Sequence, residues 1–313
     1  MKGLGLCIKV IQMASLGMVF FEALAEKPQT SFSLMPVIGY GQETLQYSIG
    51  FPNTIPNIVS ELTWSDLKVM TLGIEGEANF LNNFVAQGSI EHGRIFKGDH
   101  QDADYSGNNR TLKWSHSRAH TKGHTVKINL GIGKKYNLHS NLIFSPFIGF
   151  SFQRNFFKNK DLVQIGSEPR WAPENHIPLR LGLKSEGFIN SYAAQFYGPW
   201  VGIQGTWQFA SKWTLEGGLK GQYGWFISKG NWVKVQMTFK DKSQGYGLDA
   251  HLGVFYEINP AWDLSFKVNG HYIKVGRGDE SCTKEGISGD HPNYFRGAVY
   301  KSIHLLLGVR YQF

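Results

Sequence analysis

Side chains able to move protons or hold metal ions gather in one stretch of this chain. Asp99, His100, Asp102 and Asp104 are followed by His116, His120 and His124. Imidazole and carboxylate together suit zinc and similar ions, and a histidine tuned by carboxylates can act as a general base. The spacing supports neither use. The three histidines recur every four residues, which aligns them on a helix, whereas the stretch around them reads as loop and strand. A solvated polar loop accounts for the same composition, so no metal site and no cofactor are assigned. A second group of charges is spread out. Glu75, Glu77, Glu91, Glu216, Asp249, Glu257 and Asp263 stand against Lys127, Lys220, Lys267 and Arg310. They occupy the polar register of alternating segments. Carboxylates such as Glu75 and Glu77 facing one way are costly in lipid or an apolar core and at ease in a polar lumen.

The segments that carry these charges have a period of two, the mark of strands with unlike faces. Met70, Leu72, Ile74, Gly76, Ala78 and Phe80 alternate with Thr71, Gly73, Glu75, Glu77 and Asn79. The same pattern returns at 84–91, 126–132, 142–156, 188–209, 213–225, 246–258 and 262–269. It closes the chain, where Ile303, Leu305, Leu307, Val309, Tyr311 and Phe313 alternate with His304, Gly308, Arg310 and Gln312, and Leu306 alone breaks step. Short turns are expected at Asn82-Asn83, Asn137–Ser140, Ala210–Lys212 and Asn259–Ala261. Long polar connections are expected at about 97–120, 158–187, 229–245 and 276–296.

Composition narrows the class. The 313 residues include 18% charged and 14% aromatic side chains and 37 glycines, and no run of about 18 apolar residues follows the N-terminus. A helical membrane protein is therefore not suggested. A transmembrane barrel hides its apolar band by alternation, so a mean hydropathy of −0.26 is compatible with one. The net charge of +8 is modest, and no Lys/Arg block points to nucleic acid; anionic lipid headgroups or a scattered solvated surface fit it better. Residues 1–25 have the form of a secretory signal, with Lys2 and Lys9, an apolar core from Val10 to Phe21, and Ala23-Leu24-Ala25 before Glu26. The expected domains are this signal and a barrel over 26–313. Cys7 precedes the apolar core, which leaves Cys282 alone in the exported chain.

Alternating short turns and long loops are the habit of outer-membrane barrels. The expected fold is all-β, a closed antiparallel transmembrane barrel of about ten strands with long extracellular loops. Its even strand number puts both termini in the periplasm. Trp213, Trp262, Tyr256, Phe209 and Phe313 near the short turns, with Trp225 and Tyr272 towards the long loops, suit two interfacial girdles. The terminal aromatic resembles the signal by which Gram-negative outer-membrane barrels are recognised, so the barrel-assembly machinery is an expected partner through the strand ending at Phe313.

Five collinear stretches, from about residue 45 to the end, resemble the omptins, the ten-stranded outer-membrane proteases. They are Val59-Ser60-Glu61-Leu62-Thr63-Trp64, Asp102-Ala103-Asp104-Tyr105, Pro199-Trp200-Val201-Gly202, Lys242-Ser243-Gln244-Gly245-Tyr246, and Gly297-Ala298 through Phe313. The resemblance implies an Asp-Asp pair and an Asp-His dyad that together activate water beside a basic residue. Asp102 and Asp104 match the first pair. The segment 226–242 that should carry the second contains no histidine, and Lys229, Lys234, Lys240 and Lys242 stand where an acidic recognition surface belongs. His116, His120 and His124 are the substitutes the sequence offers. Arg154 keeps one basic position of the family's lipopolysaccharide pattern, but Phe150 and Phe152 replace Tyr and Glu, and Gln195 replaces Arg. Outer-membrane lipid, with lipopolysaccharide as a candidate, is the implied partner. The expected function is an omptin-like barrel without protease activity, acting through its extracellular loops in adhesion or surface structure. The alternatives are an endopeptidase with a rearranged site and a small porin.

Overall fold

A computed structural model describes residues 30–313 except 52–53, 82, 175–179, 234–235 and 285–286. The expected signal at 1–25, Asn82 of the first short turn and Lys234 lie outside the described residues. Ten long strands form a closed antiparallel ring. They are β1 (Ser31–Ile49), β2 (Ser60–Phe80), β3 (Phe84–Tyr105), β4 (Lys113–Lys134), β6 (Leu142–Ser167), β7 (Lys184–Ala210), β8 (Trp213–Trp232), β9 (Met237–Asn259), β10 (Trp262–Val275) and β12 (Ile287–Gln312). Each pairs with the next, and β12 returns to β1 from Ser33↔Gln312 to Ile49↔Phe295. Two short strands complete the sheet. β5 (Tyr136–His139) extends the β4–β6 turn, where the sequence suggests only a turn, and β11 (Gly278–Lys284) fills the wall between β9 and β12 beyond the end of β10.

Sidedness follows from the turns. The start of β1, the end of β12 and the short connections lie at one end, and Phe313 N–H donates to the Phe32 carbonyl there at 2.8 Å. The long connections at the other end are largely strand. β3 runs to Tyr105 and β4 resumes at Lys113; β8 and β9 are separated only by 233–236.

Polarity reverses halfway up the wall. On β1 the outward residues near the termini are Phe32, Leu34, Ile38 and Tyr40; beyond them come Gln42, Thr44, Gln46 and Ser48. The inward row passes from Ser33, Met35, Val37 and two glycines through Glu43 to Leu45 and Tyr47, so only its upper end is continuously apolar, and Met35 and Val37 pack with Phe255 as a small apolar patch in the lower lumen. Leu72, Ile90, Leu130, Ile148, Val201, Leu219, Leu248, Leu264 and Ile303 continue the outward apolar band around the ring. Immediately above it the outward positions are Lys68, Arg94, Lys122, Arg154, Lys229, Lys242, Lys274 and Lys301. The lower half thus suits lipid outside and water inside. The upper half is built like a soluble barrel, with its apolar residues turned in.

The lumen has three layers. Nearest the termini is a cavity of about 200 Å³ lined by the charged row. Most of its charges are paired: Lys267 with Glu75 at 2.7 Å and Glu216 at 3.6 Å, Lys220 with Asp249 at 2.5 Å, and Arg310 with Asp263 at 2.6 Å. Above it a buried cluster centres on Glu43, which meets His304 Nε2 at 3.1 Å, Asn155 Nδ2 at 3.2 Å and Lys127 Nζ at 3.9 Å. Above that lies an apolar core that includes Trp64, Phe157, Tyr192, Tyr47, Phe226 and Phe295. Leu306, the one residue out of step in the closing strand, points inward and is buried. Gly39 on β1 makes room for it: a Cβ there would lie 2.3 Å from Leu306 Cδ2.

Candidate functional site

Asp102 and Asp104 stand near the top of β3. With His100 they share the parity that faces the interior, and His100 and Asp102 are buried. Asp102 accepts a hydrogen bond from Ser60 Oγ on β2 at 3.1 Å. Burial, and secondarily the neighbouring Asp104, hold the Asp102 carboxyl well above the usual carboxylate range. The shift favours the neutral acid, so this pair ionises less readily than two free carboxyls would.

His100 is packed against Trp64, with ring centroids 4.9 Å apart. Neither of its nitrogens has a hydrogen-bond partner among the described residues, and burial pushes its pKa down to about 3. A base that weak cannot take a proton from water near neutrality.

The substitute histidines do not reach this site. His116, His120 and His124 sit on the outer parity of β4. His116 Nε2 lies 3.2 Å from Gln101 Oε1, His120 Nδ1 lies 3.8 Å from Asp99, and His124 stacks on His92. Asp99 also faces outward, held by Arg118 at 2.5 Å. The residues Asp99, His100, Asp102, Asp104 and the three histidines are thus split between the two faces of the wall. No group of three metal-ligating side chains converges among the described residues. The lysines thought to replace an acidic surface are corrected by the same parity: Lys229, Lys240 and Lys242 are exposed on the outside.

Between those lysines the structure places an inward acid, Asp241. It accepts from Ser228 Oγ at 2.5 Å and is fully buried. Glu280 is its register partner on β11 and is 2% exposed. Burial, and secondarily the charges of Glu280 and Asp104, raise the Tyr294 phenol, which places Tyr294 within electrostatic reach of both acids. His291 holds the β12 register position opposite Glu280. Sequence reasoning passed over Asp241, Glu280 and Tyr294. The available signal was parity: Asp241 falls between two solvent-facing lysines in a period-two run.

Arg154 lies on the outer face of β6, directly above Ile148, Phe150 and Phe152 and exposed to solvent. Val126 and Gln195 flank it in register on β4 and β7.

The comparisons agree with this geometry. The model of a family described as Pom: Protochlamydia outer membrane protein matches residues 34–313. Among solved structures, the outer membrane protease OmpT from Escherichia coli superposes with a TM-score of 0.76 at 15% identity, covering 93% of this chain and 99% of that one. The translocator domain of the autotransporter NalP from Neisseria meningitidis gives a TM-score of 0.39 at 11% identity, over 97% and 96% of the two chains. No curated protein matches the sequence. At these identities the OmpT likeness speaks for the fold, and the outer membrane is where such barrels reside.

Proposed function

The chain belongs to the Protochlamydia outer membrane protein family, and from that premise we propose that this outer-membrane barrel of omptin-like fold has no protease activity and works through its extracellular end, in adhesion or as part of the cell surface. The observation that carries the reading is the apolar packing inside the mouth. Where a protease of this architecture would need an open, wetted cleft, Trp64, Phe157, Tyr192 and Phe295 fill the lumen and are 3% exposed or less. Burial disfavours the ionised form of Asp102, and His100, two residues away on the same inward parity, is not a usable base. Peptides carrying Lys or Arg at the cleavage point are expected to survive incubation with the barrel in lipopolysaccharide or detergent. Cleavage that disappears in Asp102→Ala would overturn the reading.

A second reading has one observation behind it. The register brings Asp241 and Glu280 together across β9 and β11. An endopeptidase with a rearranged site would draw on that pair together with Asp102, and its activity would be lost in both Asp102→Ala and Glu280→Gln. The porin reading is disfavoured by the paired lumen charges and the apolar layer above them. Silence in planar bilayers is expected, and stable conductance steps would restore the porin.

Lipid contact belongs to the same proposal. The cationic collar above the apolar band, with Arg154 in it, lies where anionic headgroups meet a barrel wall. Arg154→Ala is expected to reduce the thermal stabilisation that lipopolysaccharide gives over a neutral detergent. An unchanged shift would remove Arg154 from the role.

A further inference from the structure

Asp241 and Glu280 are two acids buried side by side with no cationic side chain in ion-pair range among the described residues. They are direct register partners across β9 and β11, which sets their side chains on one face about 5 Å apart. β11 is held by six register pairs to β9, Asp279↔Lys242 through Lys284↔Met237, and it forms the wall where β10 has already ended. Two carboxylates so placed repel if both ionise. We propose that Asp241 and Glu280 share one proton, and that this proton fastens β11 to β9, forming a latch that closes the extracellular wall in acid and loosens as the pH rises.

The surroundings supply no alternative neutraliser that is described. Tyr47 from β1 and Tyr192 from β7 face Asp241, Ser228 from β8 donates to it, and Tyr294 from β12 and Cys282 on β11 lie near Glu280. Asp104 of β3 approaches through Tyr294. His291 is the remaining titratable group, by its register position opposite Glu280. Burial first, then Asp241, pushes Glu280 up to about 9, and burial raises Asp241 as well. With β11 released, each acid returns to the ordinary carboxylate range of about 4. Between those limits the closed pair holds more protons than the open one, so closure weakens with rising pH. The window runs from the ordinary carboxylate range to about pH 9.

Amide exchange of the folded full-length barrel in micelles, corrected for the intrinsic rate, tests this. Protection of residues 278–284 is expected to fall between pH 6 and pH 9, approaching about tenfold per pH unit, while β4 amides within the apolar band keep theirs. Glu280→Gln, which has no proton to lose, is expected to flatten the profile, and Asp241→Asn likewise. A flat wild-type profile would overturn the latch, as would a profile that persists in both variants or one abolished only by His291→Gln. Millimolar calcium or magnesium that restores wild-type protection at pH 9 would also overturn it, in favour of a bound cation. The wild-type profile decides the matter even if a variant fails to fold.

Discussion

Trp64→Ala is expected to cost the extracellular half of the barrel about 3–5 kcal/mol, the usual range for emptying a buried aromatic site. Trp64 is fully buried at the centre of the upper lumen. Its ring stacks on Phe157 at 5.0 Å and meets Tyr192 at 5.0 Å and His100 at 4.9 Å, while Nε1 donates to Asn159 Oδ1 at 3.2 Å. These neighbours come from β6, β7 and β3, and the backbone of a closed ring cannot collapse into the space left behind. Trp64→Phe is the milder change. It keeps one aromatic ring, and it loses the Nε1 hydrogen bond, worth about 1 kcal/mol, together with the packing of the rest of the indole; Asn159 Oδ1 still accepts from Thr121 at 2.6 Å. Guanidinium midpoints followed by far-ultraviolet circular dichroism would measure both. Equal midpoints for Trp64→Ala and the wild type would mean that the aromatic layer does not stabilise the mouth, and the main support for a sealed, non-catalytic barrel would go with it.

The lower half of this barrel was legible because one rule governs it. Lipid requires apolar residues outside, so Ile303, Leu305, Leu307 and Val309 declared their face, and Glu75 and Glu77 declared the other. Leu306 is the exception, an apolar side chain that points inward and fits because Gly39 stands opposite it. The upper half obeys the reverse rule, and a reader tuned to the first takes it for loop. The bulge between Ser65 and Lys68 adds to the confusion. It shifts parity by one, so Trp64 and Leu67 point the same way although they are three residues apart. The Asp102 and Asp104 positions came from motif resemblance, and the structure does turn them inward. Their partners across the mouth were out of reach, since Glu280 and Tyr294 lie in a stretch that composition marks only as polar. Burial decides what these acids do, and burial is a property of the closed ring that no local segment carries.

Removing Glu43 should be as damaging as removing Trp64, for an electrostatic reason. Glu43 is fully buried where the water-filled lower lumen meets the apolar core, and its carboxylate is the common partner of His304, Lys127 and Asn155. The Lys127 side chain is 6% exposed and has no other carboxylate within ion-pair distance among the described residues. Glu43→Ala would leave that ammonium without a counter-charge, a change that typically costs about 3–5 kcal/mol. The pair itself is a weaker stabiliser than this figure implies, because desolvation offsets most of the attraction. Glu43→Leu combined with Lys127→Met should therefore recover most of the loss, and the coupling read from a double-mutant cycle should be large and favourable. Unfolding midpoints of the four proteins would check it. If the double variant is as unstable as Glu43→Ala, then Asn155 and His304 depend on the carboxylate directly, and the cluster acts as a hydrogen-bonded unit rather than as an ion pair with attachments.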